Sequence, residues 1–199
     1  MSSIHLDIVR SIKRRKPGTF IFPADFRGVG SGAAVKMALG RLSRNGQIMR
    51  IAHGIYIVPK KDPVFGVLMP AMEDIAQAIA KKDKVRIKPA GVYALHRLGL
   101  STQVPTKLVY ITDGPPRQIK VGKSVIKFKT TTPKKLSMKG VYSSLIIQAL
   151  EEIGVDNTGP VTRQKFKELL ARENGKALME DLKICPVKIS DYLLKLIRS

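Results

Sequence analysis

Four cations follow one another closely between residues 31 and 50, with no acid among them. They are Lys36, Arg41, Arg44 and Arg50. Lysine and arginine supply many of the contacts that proteins make with nucleic-acid phosphates, and arginine also reads the edge of guanine. The chemistry predicted from these residues is DNA binding. The ordinary alternative is a basic surface that is only hydrated.

A helix and a hairpin are predicted to position these cations. Ser31 is a suitable N-cap for the helix, and Gly46 a suitable residue just beyond its end. After Gly46 the sequence alternates as in a strand, turns at His53-Gly54, and continues as a second short strand. The apolar positions of the helix recur at the spacing i, i+3, i+4 and i+7, and are Val35, Ala38, Leu39 and Leu42.

The elements that precede this helix complete a recognisable order. A first helix has Ile4, Ile8 and Ile12 on one face. Thr19–Phe22 is predicted to be a short strand, and Pro23–Phe26 a short second helix with proline in its first turn. Helix, strand, helix, turn, helix and hairpin together are typical of a winged helix-turn-helix. We therefore predict a DNA-binding domain of this type over residues 1–61.

The DNA-facing residues follow from helix geometry. In DNA-reading helices, residues near the N-terminus reach base edges and flanking cations hold phosphates. Small residues there allow close approach of the backbone. Away from the apolar stripe, the predicted DNA-binding residues of the helix are Ser31, Ala33, Lys36, Met37, Arg41 and Arg44. Those of the hairpin are Arg50 and His53.

The second predicted domain covers residues 62–199, after a linker at Pro59–Pro63. Residues 62–139 are predicted to form a basic region of mixed sheet and helix, with a helix at Pro89–Leu98 and a strand at Lys107–Thr112. A hairpin is predicted to turn at Gly122-Lys123. Residues 140–199 are predicted to form three helices. The whole chain is therefore expected to have an α+β fold.

The basic region contains a second candidate surface. Residues 107–139 hold nine Lys and Arg against one acid, Asp113. Lys127 and Lys129 flank Phe128, so strand alternation predicts the lysines on the outer face and the ring inside. This face could bind more DNA or an acidic partner, or could simply be solvated. Its candidate residues are Lys120, Lys123, Lys127 and Lys129.

Catalytic and metal-binding chemistry has little support in the sequence. The three histidines lack metal-ligand spacing, and no phosphate-binding loop of the type GxxxxGK[ST] is present. Asp113 follows a strand, but the next strand has no acid ahead of Lys127, as a carboxylate–metal nuclease would require. We therefore expect no catalytic residue, no metal site and no cofactor. His96 and Cys185 are expected to be structural.

The composition favours a polyanionic partner. The formal net charge is +21 and the sequence pI about 10.3, and a single cysteine excludes an internal disulfide. No membrane span or signal-peptide pattern is evident, so a cytoplasmic location is expected. The charge is uneven. Residues 1–61 hold 12 basic and 2 acidic residues (+10), residues 62–139 hold 15 and 5 (+10), and residues 140–199 hold 9 and 8 (+1).

Two stretches carry a resemblance to a known family. The first comprises Ala33-Ala34-Val35, Ala38-Leu39, Arg41-Leu42, Gly46, Ile48, Arg50, Gly54 and Tyr56. It resembles the N-terminal domain of AbiEi-like antitoxins, which belong to the type IV, abortive-infection AbiE toxin–antitoxin modules of bacteria. The second comprises IKPAGVYALHRLGLSTQVPTKLVYITDG and GKSVIKFKTT. It resembles the region that follows the winged helix in a subgroup of that family. The likeness spans roughly residues 1–155.

The resemblance implies a phage-defence protein with two tasks. Its N-terminal domain would bind promoter DNA and repress its own module. The rest would counteract a nucleotidyltransferase-like toxin, generally without a stable complex. One alternative is a plain transcriptional regulator whose second domain binds a ligand or dimerises. A nucleic-acid-acting enzyme is the less favoured alternative. The oligomeric state is left open by the sequence.

Overall fold

The structure, a computed structural model, describes residues 4–101, 103 and 105–198. It is an α+β protein, which confirms the fold class predicted from the sequence. The chain forms two compact units. The first unit extends to Ala78 and includes Lys120–Gly122, and the second unit comprises Ile79–Ile119 and the chain from Lys123 onward. No helix in the described ranges is long and apolar enough to cross a membrane.

The first unit begins with the elements predicted for residues 1–61. They are α1 (Ile4–Lys13), β1 (Phe20–Ile21), a 3-10 helix (Pro23–Phe26), α2 (Gly32–Arg44), β2 (Met49–Ala52) and β3 (Ile55–Ile57). The strands form an antiparallel sheet in the order β1-β3-β2. Ile57 of the central strand β3 pairs with Phe20 of β1 on one side and with Met49 of β2 on the other.

The core of the first unit lies between the helices and this sheet. Its fully buried members include Ile8 of α1, Ile21 of β1, Leu39 and Leu42 of α2, and Ile48 just before β2. Burying an aliphatic side chain of this size contributes roughly 1.5–3 kcal/mol. The apolar stripe of α2 is therefore fixed against the core, which leaves the opposite face of that helix outside.

The predicted linker at Pro59–Pro63 is wrong, because this segment belongs to a second hairpin. Strand β4 (Lys60–Asp62) pairs antiparallel with β5 (Gly66–Leu68). The Asp62 carboxylate accepts the N–H groups of Val64 at 2.8 Å and Phe65 at 3.0 Å, which holds the turn. These backbone bonds also lower the pKa of Asp62. A boundary at residue 61 would cut the hairpin, and the first unit continues to Ala78.

Helix α3 (Met72–Asp83) leads into the mixed sheet of the second unit. The strands are β6 (Ile87–Ala90), β7 (Lys107–Thr112), β8 (Arg117–Val121) and β9 (Ser124–Thr130), in the order β6-β7-β9-β8. Strand β7 runs antiparallel to β6 and parallel to β9. Helix α4 (Val92–Arg97) follows β6 directly, and the rings of Tyr93, Tyr110 and Phe128 form a contact series with centroids 5.3 and 6.0 Å apart.

The helical part of the second unit is built around α6. Its elements are α5 (Pro133–Leu136), α6 (Val141–Ile153), a 3-10 turn (Val155–Asn157), α7 (Pro160–Ala171), α8 (Gly175–Ile184) and α9 (Val187–Arg198). Helix α6 packs against α4, β6, α7, α8 and α9. The buried residues Ile146, Ile147 and Phe166 lie in this core.

Two details differ from the sequence prediction. Pro89 belongs to β6 rather than to the following helix, because β6 is an edge strand, where a missing N–H is tolerated. A fourth helix, α8, lies between the second and third of the three closing helices that were predicted. Its N-cap is Asn174, whose side chain accepts the N–H of Ala177 at 3.0 Å.

The N-terminus of α6 is held by two carboxylates from distant parts of the sequence. Glu173 accepts the N–H groups of Tyr142 at 2.6 Å and Ser143 at 2.9 Å. Asp181, fully buried, accepts the N–H of Gly140 at 3.0 Å and the hydroxyl of Ser143 at 2.6 Å. These groups satisfy donors that the first turn of a helix leaves without intrahelical partners, and their charge suits its positive end.

We expect Glu173→Gln to lower the free energy of unfolding by about 1–2 kcal/mol at neutral pH, because a charged acceptor is replaced by a neutral one. Burial raises the pKa of Glu173, but the N–H groups of Ser143 and Tyr142 more than offset it and hold the pKa below its usual 4.5. The contribution is therefore complete above pH 4.5 and is lost as the pH falls through the lower pKa of the folded state.

Urea unfolding of the wild type and the variant across the acidic range measures this difference. Glu168→Gln is the control, because Glu168 is exposed on α7 and, among the described residues, accepts a bond from the exposed side chain of Gln164 and none from a helix N-terminus. The control should change stability by less than about 0.5 kcal/mol. If the free energy of unfolding of Glu173→Gln stays equally far below that of the wild type at the lowest pH, the charge of Glu173 does not hold α6.

Candidate nucleic-acid interface

Helix α2 is positioned as the sequence predicted. The Ser31 hydroxyl accepts the N–H of Ala34 at 3.2 Å, so Ser31 is the N-cap. Gly46 adopts a φ of +69° after the helix, a conformation that favours glycine. The apolar stripe of α2 is buried at Val35, Ala38, Leu39 and Leu42. These contacts fix which side of the helix faces outward.

All the residues predicted to face DNA are exposed. They are Ser31, Ala33, Lys36, Met37, Arg41 and Arg44 on α2, and Arg50 and His53 on the β2–β3 hairpin. Met37 is 60% exposed, which is unusual for a large apolar side chain and leaves it free to contact a base or a thymine methyl group. The structure thus places Ala33, Lys36, Met37, Arg41 and Arg44 on one outer face of α2, with Ser31 at the N-terminus of the helix.

The cations of this face are not neutralised within the protein. In the described part of the chain, Lys36, Arg41 and Arg44 form no ion pair with an acid. Three exposed cations without carboxylate partners on one helix produce a local positive potential that attracts phosphate. Ser31 uses its oxygen as the cap acceptor, and its hydroxyl proton still has the capacity to donate to an incoming group.

The backbone of α2 is also accessible at its glycines. A Cβ placed on Gly32 or on Gly40 would meet no atom within 4 Å. Gly32 lies in the first turn and Gly40 in the middle of the helix, near Arg41 and Arg44. No side chain that the structure describes therefore covers the backbone of α2 at these two glycines, and a ligand could approach the helix backbone closely there.

The β2–β3 hairpin presents Arg50 and His53 together. An Arg50 guanidinium nitrogen lies 3.4 Å from Nδ1 of His53, and both side chains are exposed. Gly54 makes the turn with a φ of +68°. The register of the two strands shifts between Arg50 and Ala52, as at a β-bulge. The two hairpin residues predicted to contact DNA are therefore adjacent to one another at one end of the sheet.

Arg15 is a basic residue of the same unit with a structural role. Its guanidinium lies 2.7 Å from the Asp25 carboxylate and 5.3 Å from the centre of the Phe26 ring. Asp25 also accepts the N–H of Phe22 at 3.2 Å. Arg15 therefore joins the end of α1 to the 3-10 helix, and we exclude it from the candidate interface.

The four lysines predicted as a second surface have different surroundings. Lys127 and Lys129 line a cleft of about 490 Å³ in the second unit, whereas Lys120 and Lys123, although exposed, are not among the described residues that line it. Lys107, which sequence reasoning did not single out, lines the cleft as well. Its place beside β9 depends on the parallel register of β7, for which the sequence carried no signal.

The residues expected to be structural occupy ordinary positions. Burial raises the pKa of the Cys185 thiol, and its sulfur lies 3.4 Å from the Leu182 carbonyl. Nδ1 of His96 lies 3.3 Å from the Ser101 carbonyl. Among residues 4–101, 103 and 105–198, no group of three or more His, Cys, Asp or Glu is arranged to hold a metal ion.

A protein-family model described as a family of unknown function, DUF6088, matches residues 7–178. The chain belongs to this family. The match includes the whole of α2 and the β2–β3 hairpin, and it extends through α7 into α8. No curated protein matches the sequence. The description of the DUF6088 family assigns no function to its members.

One glycine in the turn before α2 and one glycine within α2 provide a matched pair of substitutions. A Cβ on Gly30 would lie 2.6 Å from Cδ1 and 3.0 Å from Cγ1 of Ile4. We expect Gly30→Ala to lower the free energy of unfolding by about 1 kcal/mol through overpacking. Gly40→Ala should instead raise it by about 0.5–1 kcal/mol, because alanine favours the helix and the site is open.

Thermal unfolding of the full chain measures both changes. Equal destabilisation by the two substitutions would contradict this account of the turn and of the open face of α2. A stabilised Gly40→Ala protein is also a useful reagent, because it adds a methyl group to the proposed DNA-facing side without loss of fold.

Proposed function

We propose that this protein binds double-stranded promoter DNA through α2 and the β2–β3 hairpin, in the manner of a winged helix-turn-helix domain. The observation that carries the proposal is the exposed face of α2, on which Lys36, Arg41 and Arg44 have no acidic partner among the residues that the structure describes. The element order and the net charge of the first 61 residues support it. The location proposed for this task is the cytoplasm.

In this proposal α2 lies in the major groove with its exposed face toward the DNA. Ser31, Ala33 and Met37 then lie nearest the bases, and Lys36 and Arg44 bind phosphates on either side. Arg41 is the residue best suited to a base edge, because its guanidinium can make two parallel hydrogen bonds to guanine. Arg50 and His53 on the hairpin would contact the adjacent backbone.

We propose further that the protein is the antitoxin of a toxin–antitoxin module and represses its own promoter. The support is the resemblance to AbiEi-like antitoxins over Ala33–Tyr56 and over the β6-to-β9 region. The partner would be a nucleotidyltransferase-like toxin, counteracted without a stable complex. The protein itself would act as a binding protein and not as an enzyme.

A second candidate function is a plain transcriptional regulator whose second unit binds a small ligand. The specific observation in its favour is the lysine-lined cleft of that unit. Both functions share the DNA-binding step. They differ in whether the second unit protects against a toxin or senses a ligand.

Operator binding tests the shared step. We expect Arg41→Ala to cost about 1–3 kcal/mol on the operator and less on random DNA. Arg44→Ala should weaken both DNAs about equally and reduce the slope of log K against log salt by about 0.9, which is one phosphate contact. Lys176→Ala is the control, because it removes one exposed charge from α8.

Titrations of the full chain with upstream DNA at several salt concentrations give these values. Unchanged affinity in both arginine variants, with the fold intact, would show that α2 does not read DNA. An equal loss in Lys176→Ala would show that net charge alone governs binding.

The two proposed tasks should be separable in the intact protein. The double variant Arg41→Ala/Arg44→Ala should lose promoter repression by about tenfold or more, because two DNA contacts are removed. It should still protect cells from the cognate toxin. A reporter assay and a growth assay on the same strain measure both. If protection falls together with repression at equal protein level, the division of labour is wrong.

A further inference from the structure

The cleft in the second unit has a volume of about 490 Å³. Its floor includes part of the sheet formed by β7 and β9. The other lining residues include Gly91 and Val92 at the start of α4, Pro105 and Thr106 before β7, and Glu152 near the end of α6. A volume of this size falls within the usual range for small-ligand sites.

Three lysines lie along the floor on one face of the sheet. Lys127 is in register with Val109 on β7, and Lys129 is in register with Ile111. Lys107 is two residues before Val109 on β7. The two side chains therefore lie on the same face of the sheet, because side chains on one face recur at every second residue. The positions of Lys127 and Lys129 are about 6.6 Å apart along β9. Flexible lysine side chains at these positions can converge on one ligand.

The charge of the cleft is unbalanced. Among the described residues, Lys107, Lys127 and Lys129 form no ion pair. Glu152 is the one carboxylate among the described lining residues, so the lining carries a net charge of about +2. Lysine ammonium groups act as mobile point charges for phosphate oxygens. The floor is therefore suited to a ligand with several phosphate charges.

The remaining walls are suited to the uncharged part of such a ligand. Val92, Pro105 and Val109 supply apolar surface, and Val92 is 51% exposed. The Glu152 carboxylate is an acceptor for hydroxyl or amino groups. Oε2 of Glu152 would lie 3.2 Å from a Cβ on Gly91, which has a φ of +61°. Glycine at position 91 thus leaves room for this carboxylate at the cleft.

We propose that the cleft binds a nucleoside polyphosphate, with the phosphates on Lys107, Lys127 and Lys129 and the nucleoside between Glu152 and the apolar wall. All of these residues belong to the second unit, so the proposal does not rest on DNA binding by the first. A single nucleic-acid strand is the less favoured occupant. Such strands are usually held by stacking on aromatic side chains, and the described lining residues include no aromatic one.

Calorimetric titration of the full chain with ATP tests the proposal. We expect saturable binding, and Lys127→Gln/Lys129→Gln should weaken it by about tenfold or more, because two charge-assisted contacts are lost. The matched control is Lys120→Gln/Lys123→Gln, which removes the same charge from the neighbouring turn and should change affinity by less than about twofold. Thermal unfolding verifies that both variants are folded.

Glu152→Gln separates recognition of the nucleoside from recognition of the phosphates. It should weaken ATP binding several-fold, because an amide is a weaker acceptor for hydroxyl groups, and should not weaken binding of inorganic tripolyphosphate. Tripolyphosphate itself should bind the wild type more weakly than ATP.

Several outcomes would overturn the proposal. One is the absence of saturable ATP binding, and another is an equal loss in the two double lysine variants, which would reveal a general charge effect. Tripolyphosphate binding as tightly as ATP would eliminate the nucleoside part of the assignment. A short oligothymidylate that binds more tightly than ATP and depends on Lys127 and Lys129 would reassign the cleft to a nucleic-acid strand.

Discussion

The second unit depends on how the N-terminus of α6 is held. Asp181 is fully buried and accepts three hydrogen bonds, from the N–H groups of Lys139 and Gly140 and from the Ser143 hydroxyl. Glu173 accepts two more from the first turn. Lys88 connects the sheet to the same point, because its ammonium donates to the Met138 carbonyl. Helix α6 in turn carries Glu152 to the cleft, so the candidate ligand site depends on these caps.

The scarcity of acids in the first 139 residues explains why cations remain free at both candidate sites. At least four of the seven acids of this region are used in structural contacts. Asp25 pairs with Arg15, Asp83 with Arg117, and Asp113 with Arg86 at 2.8 Å. Asp62 caps its own turn. Since these carboxylates are committed to local structure, the cations of α2 and of the β7–β9 floor are left for external anions.

Periodicity and turn chemistry predicted the elements from α1 to β3, because the two α-helices there each have one apolar face and the β2–β3 hairpin turns at a glycine. The failures have local physical causes. The proline-flanked segment around Asp62 forms strand β4, since the Asp62 side chain supplies the turn. Pro89 is tolerated in β6 because that strand is at the sheet edge. Asn174 was a usable signal for α8. The cleft could not be predicted, because it requires the parallel register of β7 and β9, which are separated in sequence by β8.

A DNA-binding face in one unit and a ligand cleft in the other can serve two different purposes, and thermodynamic linkage distinguishes them. If the protein is a ligand-controlled regulator, ligand must change operator affinity by some factor, and operator must change ligand affinity by the same factor. A coupling of 1–3 kcal/mol is typical of such proteins. If the second unit instead acts on a toxin, operator and ligand bind independently and the coupling is close to zero. The sign and size of this one quantity therefore separate a sensor from an antitoxin whose cleft serves its protective task.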